Sequence, residues 1–327
     1  MRILITGVHG FVGLNLVKYL APANEIYGLD IIAPEKRGVV KTYSWDDLDV
    51  GNVPEVDAIV HLAGKAHDTK NKSATEVYFK VNTGLTQKIF DYFLAHESIK
   101  KFVFFSTAKA AADKVDVVLT EDVIPAPVGP YGESKIAAEK YILEKMEILR
   151  QAKDDTANAS ASSVTKKVYI FRPCMIHGPG NKGNLNLLYN VVRKGIPWPL
   201  GAFENRRTFT SVENICFAVN GVFTKDVPSG IYNMGDDEAL STNELIEEIC
   251  MSLGKKAHIW RLPKGLMNGV AKVGGWLHLP LNPERLRKLT ENYISSNAKI
   301  KNALGVDKMP VSAREGLKVT LDSFKVS

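Results

Sequence analysis

The sequence predicts an α/β fold: a doubly wound parallel sheet with a smaller C-terminal lobe. Three observations carry that expectation. Short apolar runs of strand length recur at 2–6, 25–31, 57–63, 101–106 and 167–172. Helical patterns near 11–20, 72–96 and 130–150 alternate with them. A glycine-rich turn follows the first run and opens the first helix. Such alternation places helices on both faces of a parallel sheet, and strands buried on both faces read as continuous apolar runs.

The first strand reads Arg2-Ile-Leu-Ile-Thr6, and Gly7, Gly10 and Gly13 follow it. This is G-x-x-G-x-x-G, a variant of the Rossmann-type dinucleotide turn. The first glycine makes the tight turn, the second lets backbone approach a pyrophosphate, and the third lets helix pack on strand. The next helix then turns its free N–H groups toward the phosphates, so Gly7, Gly10, Phe11, Val12 and Gly13 form a candidate cradle. The segment is not expected to be a signal peptide. Gly7, His9, Gly10 and Asn15 interrupt its apolar run, and no small-residue cleavage site follows.

The second strand ends in Gly28-Leu-Asp30, with Asp30 17 residues after Gly13. A carboxylate at that distance accepts the adenosine ribose 2′-OH and repels a 2′-phosphate, which favours NAD over NADP. Lys36 and Arg37 follow closely and argue the other way.

Tyr131-Gly-Glu-Ser-Lys135 comes 118 residues after Gly13. Residues four apart on a helix lie one turn apart on one face, so the phenol and the ammonium can act as a unit. The cation is expected to lower the tyrosine pKa toward neutrality. A tyrosine so tuned exchanges a proton with a sugar hydroxyl. A Y-x-x-x-K spacing alone is common on surface helices; its place after a dinucleotide turn gives it weight.

Composition narrows the remaining classes. The 327 residues suit one large α/β unit with a smaller lobe, and 45% hydrophobic content is ordinary for a globular protein. The net charge of +6 is spread out, with no dense basic block interleaved with aromatics, so no nucleic-acid partner is expected. Cys174, Cys216 and Cys250 are far apart, make no metal pattern, and suit a reduced cytoplasm. No segment has the apolar length of a membrane span, so no membrane insertion is expected. The polar stretch 151–167 reads as a solvated connection. After Pro173 the composition shifts to Gly, Pro and Asn, and helical patterns return at 213–224, 241–253 and 313–324. The expected division is a dinucleotide-binding domain over 1–172, with 207–235 returning to it, and a substrate lobe from 173–206 and 236–327.

Five further stretches carry a family likeness: Thr6-Gly-Val-His-Gly-Phe-Val-Gly13, His61-Leu-Ala-Gly64, Val81-Asn82 with Thr86, Phe171-Arg-Pro173 with Gly178-Pro-Gly180, and Arg207-Thr-Phe209 with Val212-Glu-Asn214. Together with the Tyr–Lys pair, they resemble the extended short-chain dehydrogenases/reductases of the nucleotide-sugar epimerase/dehydratase family. The likeness runs along nearly the whole chain. Leu85 stands where glycine is usual and His177 where tyrosine is usual. Phe105-Ser-Thr-Ala-Lys109, Pro199-Leu-Gly-Ala202 and Asn205-Arg-Arg207 are similar to bacterial envelope-polysaccharide members acting at C4 of UDP-N-acetyl-sugars.

That resemblance implies roles for individual residues. Tyr131 is the acid/base, and Lys135 lowers its pKa and binds the nicotinamide ribose. Thr107 is the hydroxyl that meets the reacting oxygen, with Ser106 as the alternative if the register slips by one, and as a substrate contact. Leu62, Ala63 and Gly64 line the nicotinamide side, with Asn82 and Pro173 also at the cofactor. Arg207 holds the substrate diphosphate, with Arg206 as competitor. Asn184 and Leu185 are candidate uracil neighbours, a helix cap and a core leucine being equally good readings. No metal is implied.

The implied reaction is NAD-dependent 4-epimerisation of a UDP-hexose or UDP-N-acetylhexosamine through a 4-keto intermediate, in surface-polysaccharide precursor synthesis. A 4-ketoreductase of a UDP-4-keto-6-deoxy-HexNAc would use the same residues. A 4,6-dehydratase needs an Asp-Glu pair where this chain has Ala108-Lys109. A non-catalytic dinucleotide sensor is the reading from another class, and sensors of this fold often lose the tyrosine or lysine kept here. The family likeness also implies a cytoplasmic homodimer, joined through the 72–96 and 130–150 helices.

Overall fold

The computed structural model describes residues 1–65, 74–155, 166–277 and 281–325. Residues 72–73 of the expected second helix and 156–165 of the expected polar connection lie outside the described residues.

Elements of the first half alternate as expected. They run β1 (Arg2–Thr6), α1 (Phe11–Leu20), β2 (Glu25–Leu29), β3 (Lys41–Tyr43), α2 (Trp45–Asp49), β4 (Ala58–His61), α3 (Thr75–Tyr78), α4 (Leu85–Ala95), β5 (Lys101–Phe105), α5 (Ala108–Ala111), α6 (Pro130–Asp155) and β6 (Lys167–Pro173). The second half holds β7 (Met175–His177), α7 (Asn184–Arg193), β8 (Arg207–Ser211), α8 (Val212–Thr224), β9 (Gly230–Met234), β10 (Ala239–Leu240), α9 (Thr242–Ser252), α10 (Lys264–Trp276), α11 (Pro283–Thr290), α12 (Ala298–Leu304) and α13 (Ala313–Lys325). The expected 72–96 helix is broken in two. A π-helical stretch, Phe79–Gly84, joins α3 to α4, and Leu85 opens α4.

Seven strands form one sheet in the order β3-β2-β1-β4-β5-β6-β9, every neighbouring pair parallel. This is a Rossmann-type doubly wound α/β fold. Its two faces are packed separately. Ile3 and Ile5 point to Leu16, Val17 and Leu20 of α1 and to Ile215 and Val219 of α8. Leu4, between them, points to Ile89, Phe90 and Phe93 of α4 and to Ala138 and Ile142 of α6. Side chains alternate across a strand, so a run apolar at every position needs helices on both sides. A smaller sheet, β10-β8-β7, has its own core. Leu185 and Tyr189 of α7, Phe209 of β8, Leu245 and Ile249 of α9, and Leu317 and Leu321 of α13 meet there.

Strand order reverses at β1, with β2 on one side and β4 on the other. Ligands of open parallel sheets bind outside the carboxyl ends of the strands at such a switch point. The glycine turn after β1 and the Leu62–Gly64 loop after β4 flank that crevice.

Candidate active site

The glycine turn is built to let backbones touch. Gly7 has a left-handed φ of +68°, and a Cβ on it would lie 3.0 Å from the Ala63 amide nitrogen. A Cβ on Gly13 would lie 2.5 Å from the Val8 carbonyl oxygen, too close for any side chain. α1 starts at Gly10 with no side-chain cap and no acidic residue in its first turn. Its leading N–H groups are therefore left for an anion, which fits a dinucleotide pyrophosphate. Phe11 packs under the 178–180 turn, and Asn15 Nδ2 donates to the Phe11 carbonyl at 2.8 Å and the Pro179 carbonyl at 3.0 Å.

Asp30 stands at the end of β2 and steadies the same turn. Its Oδ2 accepts the His9 N–H at 3.1 Å and its Oδ1 the Ile31 N–H at 2.8 Å. Beyond it, Lys36, Arg37, Lys41 and Thr42 line a cleft of about 630 Å³.

A buried polar chain ties β1 to β4. Thr6 Oγ1 lies 2.7 Å from His61 Nδ1 and accepts the Ala63 N–H at 3.0 Å. His61 Nε2 lies 3.0 Å from Thr86 Oγ1, whose hydroxyl donates to the Asn82 carbonyl. Burial, with Lys135 adding to it, holds His61 well below the usual histidine range, so it stays neutral.

Asn82, inside the π-helical stretch, clips the next loop in place. Its Oδ1 accepts the Lys65 N–H at 2.7 Å, while its Nδ2 donates to the Lys65 carbonyl and to Ser134 Oγ. A Cβ on Gly64 would lie 2.9 Å from Asn82 Oδ1 and 3.2 Å from Lys135 Nζ. Gly64, Asn82 and Lys135 thus converge on one point at the switch crevice.

Thr107 follows β5 and caps α5, its Oγ1 accepting the Lys109 N–H at 3.3 Å, and its hydroxyl stands near that of Tyr131. Tyr131 opens α6, and its ring meets that of Tyr78 edge-on at 6.4 Å. One turn on, Lys135 Nζ donates to the Phe105 carbonyl at 2.9 Å and lies over the Phe104 ring. Burial brings Lys135 down to about 8, with Glu139 opposing the shift. Tyr131 does not fall as the pair alone led us to expect. Burial raises its pKa, the nearby Thr107 hydroxyl pulls the other way, and Tyr78 adds to the rise. Desolvation of the phenolate outweighs the protein's own stabilising contacts.

Ser106 is engaged elsewhere. Its hydroxyl donates to Glu139, which also accepts Arg172 Nε at 3.0 and 3.1 Å and Arg172 Nη2 at 2.5 Å. Glu139 and Arg172 are both fully buried. Neither was expected at the site. The signal was present: Glu139 lies four residues after Lys135, on the same face of α6. Pro173 closes β6 in register with Met234.

The remaining candidates lie on the smaller sheet and its helices. Arg207 begins β8, half-buried, and its Nη1 donates to the Lys288 carbonyl. Burial lowers its pKa, with Glu291 opposing. Arg206 is turned to Glu244 and the Ala239 carbonyl. Asn184 is exposed at the start of α7, where Gly183 takes the cap position. Leu185 is buried in the lobe core, so only its backbone can meet a ligand. Among the described residues no group of His, Cys, Asp and Glu is arranged to hold a metal.

Comparison with known proteins agrees with this geometry. The description "NAD dependent epimerase/dehydratase family" matches residues 3–235. A UDP-glucose 4-epimerase of Vibrio cholerae is 29% identical, the match covering 98% of this chain and 95% of that protein. A GDP-6-deoxy-D-mannose reductase of Pseudomonas aeruginosa is 23% identical over 99% and 97% of the two chains. The solved structure of MoeE5 with UDP-glucuronic acid and NAD superposes with a TM-score of 0.74 at 20% identity, covering 100% and 99%. With its parallel sheet, glycine turn and Tyr–Lys helix, the chain belongs to the NAD-dependent epimerase/dehydratase family, the extended branch of the short-chain dehydrogenases/reductases.

Proposed function

We propose that this protein is a UDP-sugar 4-epimerase, acting on a UDP-hexose or UDP-N-acetylhexosamine in the synthesis of a surface-polysaccharide precursor. The observation that carries the reading is the pairing of Tyr131 with Lys135 one turn on along α6, Lys135 Nζ being held by the Phe105 carbonyl beside Gly64, with the Thr107 hydroxyl near the phenol. It equips the site to move one proton at one hydroxyl. Elimination of water would need a second acid and base after Thr107. Ala108 is buried there, and Lys109 Nζ is tied to the Asp113 carbonyl at 2.8 Å and its carboxylate at 3.0 Å.

NAD, when bound, supplies the acceptor and donor of the C4 hydride. The first turn of α1 would hold its pyrophosphate, Asp30 its adenosine ribose and Lys135 its nicotinamide ribose. Tyr131 Oη takes the C4 hydroxyl proton as the ketone forms and returns it as the ketone is reduced. Thr107 Oγ1 orients the reacting oxygen. Lys135, at about 8, remains mostly protonated at neutral pH. The sugar nucleotide lies between the large-sheet unit, 1–172 with 207–235, and the lobe from 173–206 and 236–327. Asn184, the Leu185 backbone and the 197–202 segment take the uridine, and Arg207 releases the Lys288 carbonyl to meet the diphosphate. The working unit is a cytoplasmic homodimer joined through α4 and α6.

A UDP-4-keto-sugar reductase is the second reading, favoured by the likeness to the Pseudomonas aeruginosa reductase along the whole chain. One experiment separates the two. The protein is incubated with UDP-GlcNAc, and separately with a UDP-4-keto-6-deoxy-HexNAc and NADH, while reduced cofactor is followed by absorbance. Interconversion of UDP-sugars with no net cofactor change is expected. Net oxidation with the keto sugar alone means the reductase. Conversion of neither sinks both.

A further inference from the structure

α10 turns an apolar stripe to solvent. Met267, Ala271 and Gly274 face the protein. Leu266, Val270, Val273 and Leu277 follow at i, i+4, i+7 and i+11, a single line along the helix, and all four are exposed. Trp276 stands beside that line at 80% exposure, and Trp260, on the segment leading in, is 54% exposed. Single exposed hydrophobics are ordinary on a protein surface, but a line of four along one helix with Trp276 beside it marks an interaction site.

The charges along the stretch of chain that bears the stripe are of one sign, Lys264 and Lys272 lying on α10 itself. No Asp or Glu occurs between Glu248 and Glu284. Lys255, Lys256, Arg261, Lys264 and Lys272 fall in that interval, and all are exposed. A second copy of this chain on a two-fold axis would set the same five cations against themselves. An anionic bilayer surface suits both halves of the pattern: lysine and arginine meet headgroups, apolar residues enter the acyl boundary, and tryptophan favours the level between. The helix lies flat on such a surface. At 1.5 Å per residue its 13 residues span about 20 Å, less than a hydrocarbon core of about 30 Å. Among the described residues no helix is long and apolar enough to cross a membrane.

We propose that residues 260–277 form a docking face for anionic phospholipid. The face is fixed to the substrate lobe. Trp260 N–H donates to the Trp198 carbonyl at 2.8 Å, and the Gly201 N–H donates to the Trp260 carbonyl at 3.0 Å. Docking therefore presents the 197–202 segment at the membrane.

The test is co-sedimentation of the full-length protein with phosphatidylglycerol-containing vesicles and with pure phosphatidylcholine vesicles. Binding to the anionic vesicles is expected, weakening as salt rises, with little binding to the neutral ones. Val270→Glu with Val273→Glu should weaken partitioning roughly ten-fold or more, and Lys264→Gln with Lys272→Gln should weaken it and flatten the salt dependence. Unchanged melting temperature and NADH binding show that these surface variants remain folded; the lysine pair alone decides the matter if the valine pair does not fold. Absence of binding at low salt overturns the proposal, as does equal binding by the lysine variant. So does a dimer that the valine variant dissociates in a protein that ignores vesicles, since the face then belongs to a second copy.

Discussion

Ser106 donates its hydroxyl hydrogen to Glu139, while the hydroxyl of its neighbour Thr107 accepts the Lys109 N–H and stands near Tyr131. Two adjacent hydroxyls at one strand end therefore face different partners.

Their variants should separate. Thr107→Ala should reduce turnover by roughly 100-fold, because in the proposed mechanism the reacting oxygen loses its positioning partner beside the acid/base. Ser106→Ala should leave turnover within a few-fold and lower stability by about 1–3 kcal/mol, because a buried carboxylate loses a donor. Steady-state rates and urea midpoints check both. A larger rate loss in the Ser106 variant would reverse the assignment.

Lys135 sets function against stability. Its folded pKa of about 8 lies below the usual 10.5, so the unfolded chain binds its proton more readily between those values. Stability thus rises with pH through that window, and the charge is most destabilising below it. Lys135→Met should abolish most activity yet raise the melting temperature at pH 7. The gain should shrink between pH 8 and 10, as the parent sheds its proton. A variant that melts lower at pH 7 would show that the Phe105 carbonyl bond outweighs the buried charge.

Glu139→Gln leaves Arg172 as an uncompensated buried cation, one of whose nitrogens, Nη1, already lacks a partner. Breaking such a pair costs roughly 3–5 kcal/mol. The same change removes the carboxylate that holds Lys135 up, so the alkaline limb of the activity profile should move to lower pH. Denaturant unfolding reads the first effect and a pH–rate profile the second. A stability loss with an unmoved alkaline limb would confine Glu139 to a structural role.

Asp30→Ala should narrow the preference for NADH over NADPH, measured by fluorescence titration. It should also weaken both ligands somewhat, since Asp30 accepts the His9 N–H of the glycine turn. Tighter NADPH binding by the parent protein would contradict the carboxylate argument.

Much of this molecule was readable from patterns with a short physical reach. The parallel sheet followed from runs apolar at every position, and the cofactor turn from its glycine spacing, where Gly10 and Gly13 are required by backbone within a few residues and Gly7 by its left-handed φ. Side chains whose partners are distant in sequence were harder to read. Nothing local says that Ser106 binds Glu139, that Thr6 and Thr86 share His61, or that Arg207 meets Lys288. The π-helical stretch around Asn82 was also hidden, because a continuous helical pattern does not reveal one extra residue in a turn. Helix spacing reports the Lys135 cation one turn from Tyr131 and is silent on the desolvation that raises the phenol's pKa.

The order of elements along the chain has a consequence for dissection of the protein. After β6 the backbone leaves the large sheet for β7, α7 and β8, returns through α8 and β9, and leaves again. Ile300 and Leu304 of α12 then re-enter the large-sheet core, and α13 closes the smaller one. No single cut frees an intact half. A fragment ending near residue 172 would carry β5 and β6 with the β9 edge open and the α8 side of the sheet bare, an invitation to aggregate. On the ribosome, too, the central sheet stays incomplete until β9 and α12 have emerged, so this chain must complete its core late and over long sequence separations.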